Sequence, residues 1–155
     1  MILPRSVSTI PLFAIALSAS ATPLAATTPV PDPRHISNGW NIPSEGYADQ
    51  PYIVKTDDGA WLCVMTTGTG TEGAGGQHVV SMRSSDLGRT WSKPVDVEPA
   101  NGPEASYAVL LKVPGGRVYV FYNHNTDNVR EIKSETGGVI KRVDSLGHYV
   151  FKFSD

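Results

Sequence analysis

The sequence predicts an all-β protein built from short antiparallel strands. Three observations carry that prediction. Short apolar or alternating runs recur along residues 51–153, and turn signals separate them. The composition agrees: 15 glycines and 12 prolines among 155 residues, with 8% aromatic residues, suit a turn-rich β chain better than a helical one. Finally, the order strand, Gly turn, strand, loop, strand occurs twice. An internal repeat of that size governs how the whole chain is read.

Residues 1–21 read as a targeting segment. Arg5 gives a positive start, residues 10–17 form a short apolar core, and Ala19-Ser20-Ala21 offers small residues for cleavage before Thr22. The apolar run is short for a membrane span. The expectation is export to a secreted or periplasmic location, with no membrane partner once the leader is cleaved. The alternative is a retained anchor. Residues 22–45, with Pro23, Pro29, Pro31, Pro33 and Pro43, read as a Pro-rich linker or a covering arm.

The remaining length is compatible with one ordinary domain. A net charge of −2 supplies no basic patch, so nucleic acid is not an expected partner. The single cysteine, Cys63, rules out an intrachain disulfide. It sits in an apolar run and reads as a buried, inert thiol. No cofactor is expected.

Residues 51–56 form the first predicted strand, and Asp57-Asp58-Gly59 is a hairpin turn signal. Residues 60–66 form a second strand, apolar enough to be buried on both faces. Residues 67–76 are a Gly- and Thr-rich loop containing Glu72. The third strand covers 78–83, and residues 93–97 make a fourth. The pattern then restarts, with a strand at 107–113, a turn at Pro114-Gly115-Gly116 and a strand at 117–122. A long polar connection runs from Asn123 to about Gly147, and residues 149–153 form the third strand again.

Between the third and fourth strands lies Ser84-Ser85-Asp86-Leu87-Gly88-Arg89-Thr90-Trp91, the pattern S-x-D-x-G-x-T-W. An Asp early in a turn can accept N–H bonds from the residues after it, Gly88 can take a positive φ, and Trp91 supplies a large apolar plate. The unit resembles the Asp box of the sialidase-type (BNR-repeat) β-propellers. In that family the box joins the third and fourth strands of a blade, on the side away from the active site. That implies a structural role for Ser84, Asp86, Gly88, Thr90 and Trp91. The resemblance spans about residues 47–155 and implies a propeller with six blades in the full-length family. Here that means blade 1 at about 47–99 and an incomplete blade 2 at about 104–155, where Ser154 would open a second box. A propeller needs several blades to close. The chain is therefore expected to be an N-terminal fragment whose partners include its own missing C-terminal blades. The alternative is a small two-sheet β domain.

Antiparallel order sorts the connections onto two faces. Turns 57–59, 86–90 and 114–116 fall on one. The other collects Tyr47, Asp49, Gln50, Glu72, His78, Glu104, Ser106, Tyr107, Asn123, His124, Asn125, Asp127 and Arg130. The resemblance implies an acid/base Asp in the first blade's loop, an arginine triad, and a Tyr–Glu pair further along. Glu72 stands near the position of that Asp and is the acid/base candidate. The family's first arginine lies in an F/Y-R-I-P motif. Here the stretch is Ala48-Asp49-Gln50-Pro51, so Asp49 replaces the arginine and inverts the charge facing a sialic acid carboxylate. Asp49, Gln50, Tyr107, Asn123 and Asn125 are the substrate-binding candidates. His78 and His124 are candidate bases. No metal is expected: the histidines lack zinc-motif spacing, and Asp49 and Asp127 lie in no EF-hand loop. Asp57, Asp58 and Asp144 read as turn residues. The expected function is an exported sialidase-like glycoside hydrolase acting on terminal acidic sugars of glycans, inactive as this fragment. The alternatives are a polysaccharide lyase on a propeller scaffold, or a non-catalytic propeller that binds glycan or protein.

Overall fold

A computed structural model describes residues 30–32 and 34–154. Residues 1–29, Pro33 and Asp155 lie outside the described residues, and with them the expected leader and part of the expected linker. Residues 30–32 are exposed and carry no helix or strand. The compact unit that follows is all-β. It comprises a 3-10 turn at Ile36–Asn38 and nine strands: β1 (Tyr47–Lys55), β2 (Trp61–Gly68), β3 (Gln77–Ser84), β4 (Val95–Asp96), β5 (Ala105–Lys112), β6 (Val118–His124), β7 (Ile132–Lys133), β8 (Val139–Ile140) and β9 (His148–Phe153). Strands β1 to β4 form one antiparallel sheet in chain order. β5, β6 and β9 form a second, and β7 and β8 pair as a separate hairpin.

Both sheets are built to one plan. β1 bulges between Asp49 and Tyr52, and β5 bulges between Ser106 and Val109. The extra residue of each bulge, Gln50 and Tyr107, has positive φ, at 50° and 58°. When the bulges are superposed, the cross-strand pairs make Leu62 and Val64 equivalent to Tyr119 and Phe121. Val79, Ser81 and Arg83 become equivalent to Tyr149, Phe151 and Phe153, and His78 to His148. One step on, Ser84 matches Ser154, whose Oγ accepts from the Val118 N–H.

The sheets pack face to face. Val64 and Val79 of the first are buried against Ala105, Ala108, Val120 and Tyr122 of the second. On the other face of the first sheet Cys63, Met65, Val80 and Met82 form a second buried cluster, covered by Ile42 and Trp91. Residues 40–46 thus act as a covering arm rather than a free linker, and the Glu45 amide donates to Thr67 Oγ1 at 2.8 Å. Burial pushes the Cys63 thiol up to about 11, which makes it a poor nucleophile.

Strand boundaries differ from the sequence expectation, most of all at three places. β1 starts at Tyr47, not residue 51, because the ladder continues on the far side of its bulge. The expected fourth strand narrows to Val95–Asp96. The connection after Asn123 is not all loop: β6 runs on to His124, and β7 and β8 make a hairpin inside it.

The turn after β3 is held by its own side chains. Ser84 Oγ accepts from the Gly88 amide at 2.8 Å. Asp86 accepts from the Thr90 amide at 2.8 Å and from the Thr90 hydroxyl at 2.7 Å. Those Thr90 bonds lead the causes that hold the Asp86 carboxyl down at about 2. Gly88 has φ of 84°, and a Cβ there would stand 3.0 Å from the Trp61 ring.

Two outcomes follow from this turn. Gly88→Val combines a positive φ with a clash, so it should cost about 1–3 kcal/mol in urea unfolding, with little change in m-value. Asp86 binds its proton more weakly folded than unfolded, so its contribution is present above the ordinary carboxylate range and fades as pH falls from about 4 towards 2. Melting temperature measured against pH should therefore show an acid limb that shrinks in Asp86→Asn.

Candidate functional site

On the face opposite that turn, connections from both sheets converge on one guanidinium. Arg142 Nη2 donates to Glu72 Oε1 at 2.5 Å and to the Tyr107 hydroxyl at 2.9 Å. Its Nε donates to Asp144 Oδ1 at 2.8 Å. The Tyr107 hydroxyl donates in turn to Asp144 Oδ2 at 2.7 Å. Glu72 comes from the β2–β3 loop, Tyr107 from the β5 bulge, and Arg142 and Asp144 from the segment leading into β9. The backbone seals the junction, with the Val143 amide donating to Gly73 O at 3.1 Å. A Cβ on Gly73 would lie 2.9 Å from Arg142 Cγ, so this approach needs the glycine.

Asp144 is the anchor of the group. It lies in a turn, as expected, but it is 2% exposed, and its backbone carbonyl accepts from Ser106 Oγ and from Asn123 Nδ2. Burial pushes its carboxyl up, yet the hydrogen bonds from Arg142 and Tyr107 outweigh this and leave it below the usual carboxylate range. The Tyr107 phenol is raised, by burial first and by Asp144 second, so it serves as a donor rather than a phenolate. Tyr47 is pushed up to about 12 by burial, by the neighbouring Asp49 carboxylate, and by the charge of Glu72.

A second arginine ties the same loop down further along. Glu104, 4% exposed, accepts from Arg130 Nη1 at 2.5 Å and from the Gly76 amide at 3.2 Å. Asn125, fully buried, donates to Glu104 Oε2 and to Val129 O. The β7–β8 hairpin hangs between the Arg130 and Arg142 attachments.

Of the residues singled out in the sequence, Glu72 and Tyr107 meet directly, and Tyr47 and Asp49 lie beside them. Asn123 supports the group through Asp144, and Asn125 supports Glu104. Gln50 is exposed at its bulge. The two histidines stand elsewhere. His78 is 1% exposed with neither ring nitrogen hydrogen-bonded, and its Nε2 lies 3.5 Å from Glu45 and 3.4 Å from Asp96. His124 contacts Thr126 and lies 3.9 Å from Glu98. Asp127 pairs with His148 at 3.4 Å. Among the described residues no three His, Cys, Asp or Glu side chains are grouped to hold a metal.

Arg142 escaped sequence reasoning altogether. An Arg-x-Asp pair late in a long connection has no periodicity to mark it, and only the fold reveals its partner Glu72. The cluster is open: the side chains of Glu72 and Arg142 are 59% and 46% exposed. A cleft of about 330 Å³ lies elsewhere, between the sheets, lined by Leu62, Val64, Leu110, Val120 and Lys152 among others. No protein-family model matches the chain, and no curated protein matches it.

Removing Arg142 strands a buried carboxylate with one hydroxyl donor. Arg142→Met is expected to cost about 2 kcal/mol in chemical denaturation. Glu72→Ala, at an exposed position, should stay within about 0.5 kcal/mol.

Proposed function

We propose that the chain is the N-terminal part of an exported, glycan-active β-propeller of the sialidase type. Its sheets are the first blade and most of the second, and the reaction class is hydrolysis of a terminal glycosidic bond. The observation that carries the reading is the convergence of Glu72, Tyr107, Asp144 and Arg142 from both sheets on the face opposite the Asp-box turn. The shared bulge and register of the two sheets support the propeller. Carboxylates and phenols around an open patch are the groups a polyhydroxylated ligand needs. Glu72 is the acid/base residue of this reading, with Tyr107 and Asp49 as sugar contacts.

The charges favour a neutral sugar over an anionic one. Arg130 and Arg142 each already bind a carboxylate, so a sugar carboxylate would have to displace Glu72 or Asp144. The side chain of Glu72 is 59% exposed, which favours a second reading, a propeller that binds glycan without turnover. General acid catalysis gains from a site that excludes water.

Saturation-transfer NMR with a panel of neutral and sialylated sugars tests the ligand class directly. Transfer to a neutral sugar, lost in Tyr107→Ala, is expected; no transfer from any sugar would sink the glycan reading. In a protein carrying the remaining blades, Glu72→Gln should lower kcat by about 10²–10⁴-fold. A change within about twofold removes Glu72 as the acid.

A further inference from the structure

The second sheet leaves an aromatic face uncovered. Tyr149, Phe151 and Phe153 of β9 are 78%, 57% and 50% exposed, and Leu111 of β5 is 50% exposed. Tyr119 and Phe121 of β6 lie between them. The rings form one layer: Tyr119 lies 5.6 Å from Phe153 and 6.1 Å from Phe151, and Phe121 lies 5.7 Å from Phe151. Arg117 caps the Phe153 ring at 4.7 Å.

The first sheet identifies what such a face is for. Tyr119, Phe121 and Tyr149 occupy the positions of Leu62, Val64 and Val79, and Val64 and Val79 are buried against the second sheet. The outer face of the second sheet is thus the same surface one repeat further on, a sheet-packing surface. Exposed apolar patches of this kind mark interaction sites. β9 is also an edge strand, whereas its counterpart β3 carries β4. An unpaired edge beside an apolar face promotes pairing with another chain.

We infer that in the 155-residue chain this face is occupied by the same face of a second copy. The outward positions of its three strands, Val109, Leu111, Tyr119, Phe121, Tyr149, Phe151 and Phe153, carry no charge, and the one cation shown over these rings, Arg117, sits at the Phe153 end, so a self-facing contact centred on Phe121, Tyr149 and Phe151 is apolar. A two-fold axis sets one patch against its twin. The exposed parts of the four outermost side chains amount to on the order of 500 Å² per copy. That is below a standard interface, so the dimer is weak and forms in the micromolar range or above. The inference concerns this chain alone and stands apart from the propeller and glycan readings.

Sedimentation equilibrium of the full chain from about 1 to 200 μM tests it. The mass should rise from one copy towards two. Phe151→Lys and Tyr149→Lys, both exposed and therefore compatible with folding, should remain single copies throughout. Val95→Lys, on β4 of the other sheet, should dimerise as before. Circular dichroism checks that each variant is folded. A wild-type chain that stays single at every concentration overturns the inference. So does association that both β9 variants leave unchanged, or a mass that climbs past two copies.

Discussion

The second sheet depends on the contact that Val64 and Val79 make with Ala105 and Ala108. Two alanines on β5 let the sheets approach closely, and full burial of each valine is worth about 1.5–3 kcal/mol. Polar pairs then fix the angle. At the turn end, Lys112 of β5 pairs with Asp57 of the first hairpin. At the loop end, Glu104 takes the Gly76 amide. Between them the Tyr122 hydroxyl donates to Glu98, and Lys152 bonds both Glu98 and Val97 O. Burial raises the Glu98 carboxyl, but these donors outweigh it and keep it charged. A largely buried carboxylate without them would be costly, so Tyr122 and Lys152 must stay in place wherever the sheets do.

The loop-face cluster is a consequence of that packing. The bulge in β5 frees the Tyr107 amide from its ladder, and Thr66 Oγ1 of the first sheet accepts it at 3.1 Å. A strained φ of 58° is thereby stabilised by the neighbouring sheet, which turns the Tyr107 side chain towards Asp144 and Arg142. Were the sheets to separate, the bulge would lose its partner and the hydroxyl its place. The cluster therefore reports on the integrity of the whole contact between the sheets.

Sequence reasoning reached the all-β class, the six longer strands and the place of the short β4 because each carries a local signal: β-branched and aromatic runs closed by Gly, Asp or Pro. It also found the turn at residues 84–91, whose bonds link residues no more than four apart. What it missed is non-local. The bulges set the true start of β1, yet Gln50 and Tyr107 are not residues that announce a positive φ. The short hairpin at 132–140 reads as polar loop because only Ile132, Val139 and Ile140 interrupt it. The face sorting did place Glu72 with Tyr107, since antiparallel order alone decides which connections share an end. It could not supply Arg142, which lies 70 residues from Glu72 in the chain.

Equivalent positions in the two sheets also differ in a way that constrains any further partner. Where the first sheet offers Val64, Val79 and Ser81, the second offers Phe121, Tyr149 and Phe151. Valine and serine let alanine-bearing strands come near. A layer of rings holds a facing sheet further off, or needs a surface that interdigitates with it. A partner shaped like the inner face of the second sheet would leave gaps at the small positions, and gaps forfeit dispersion contacts. A second ring layer, offset so that edges meet faces, fills the same space without them. The two sheets thus present side chains of different size and shape through the same strand register.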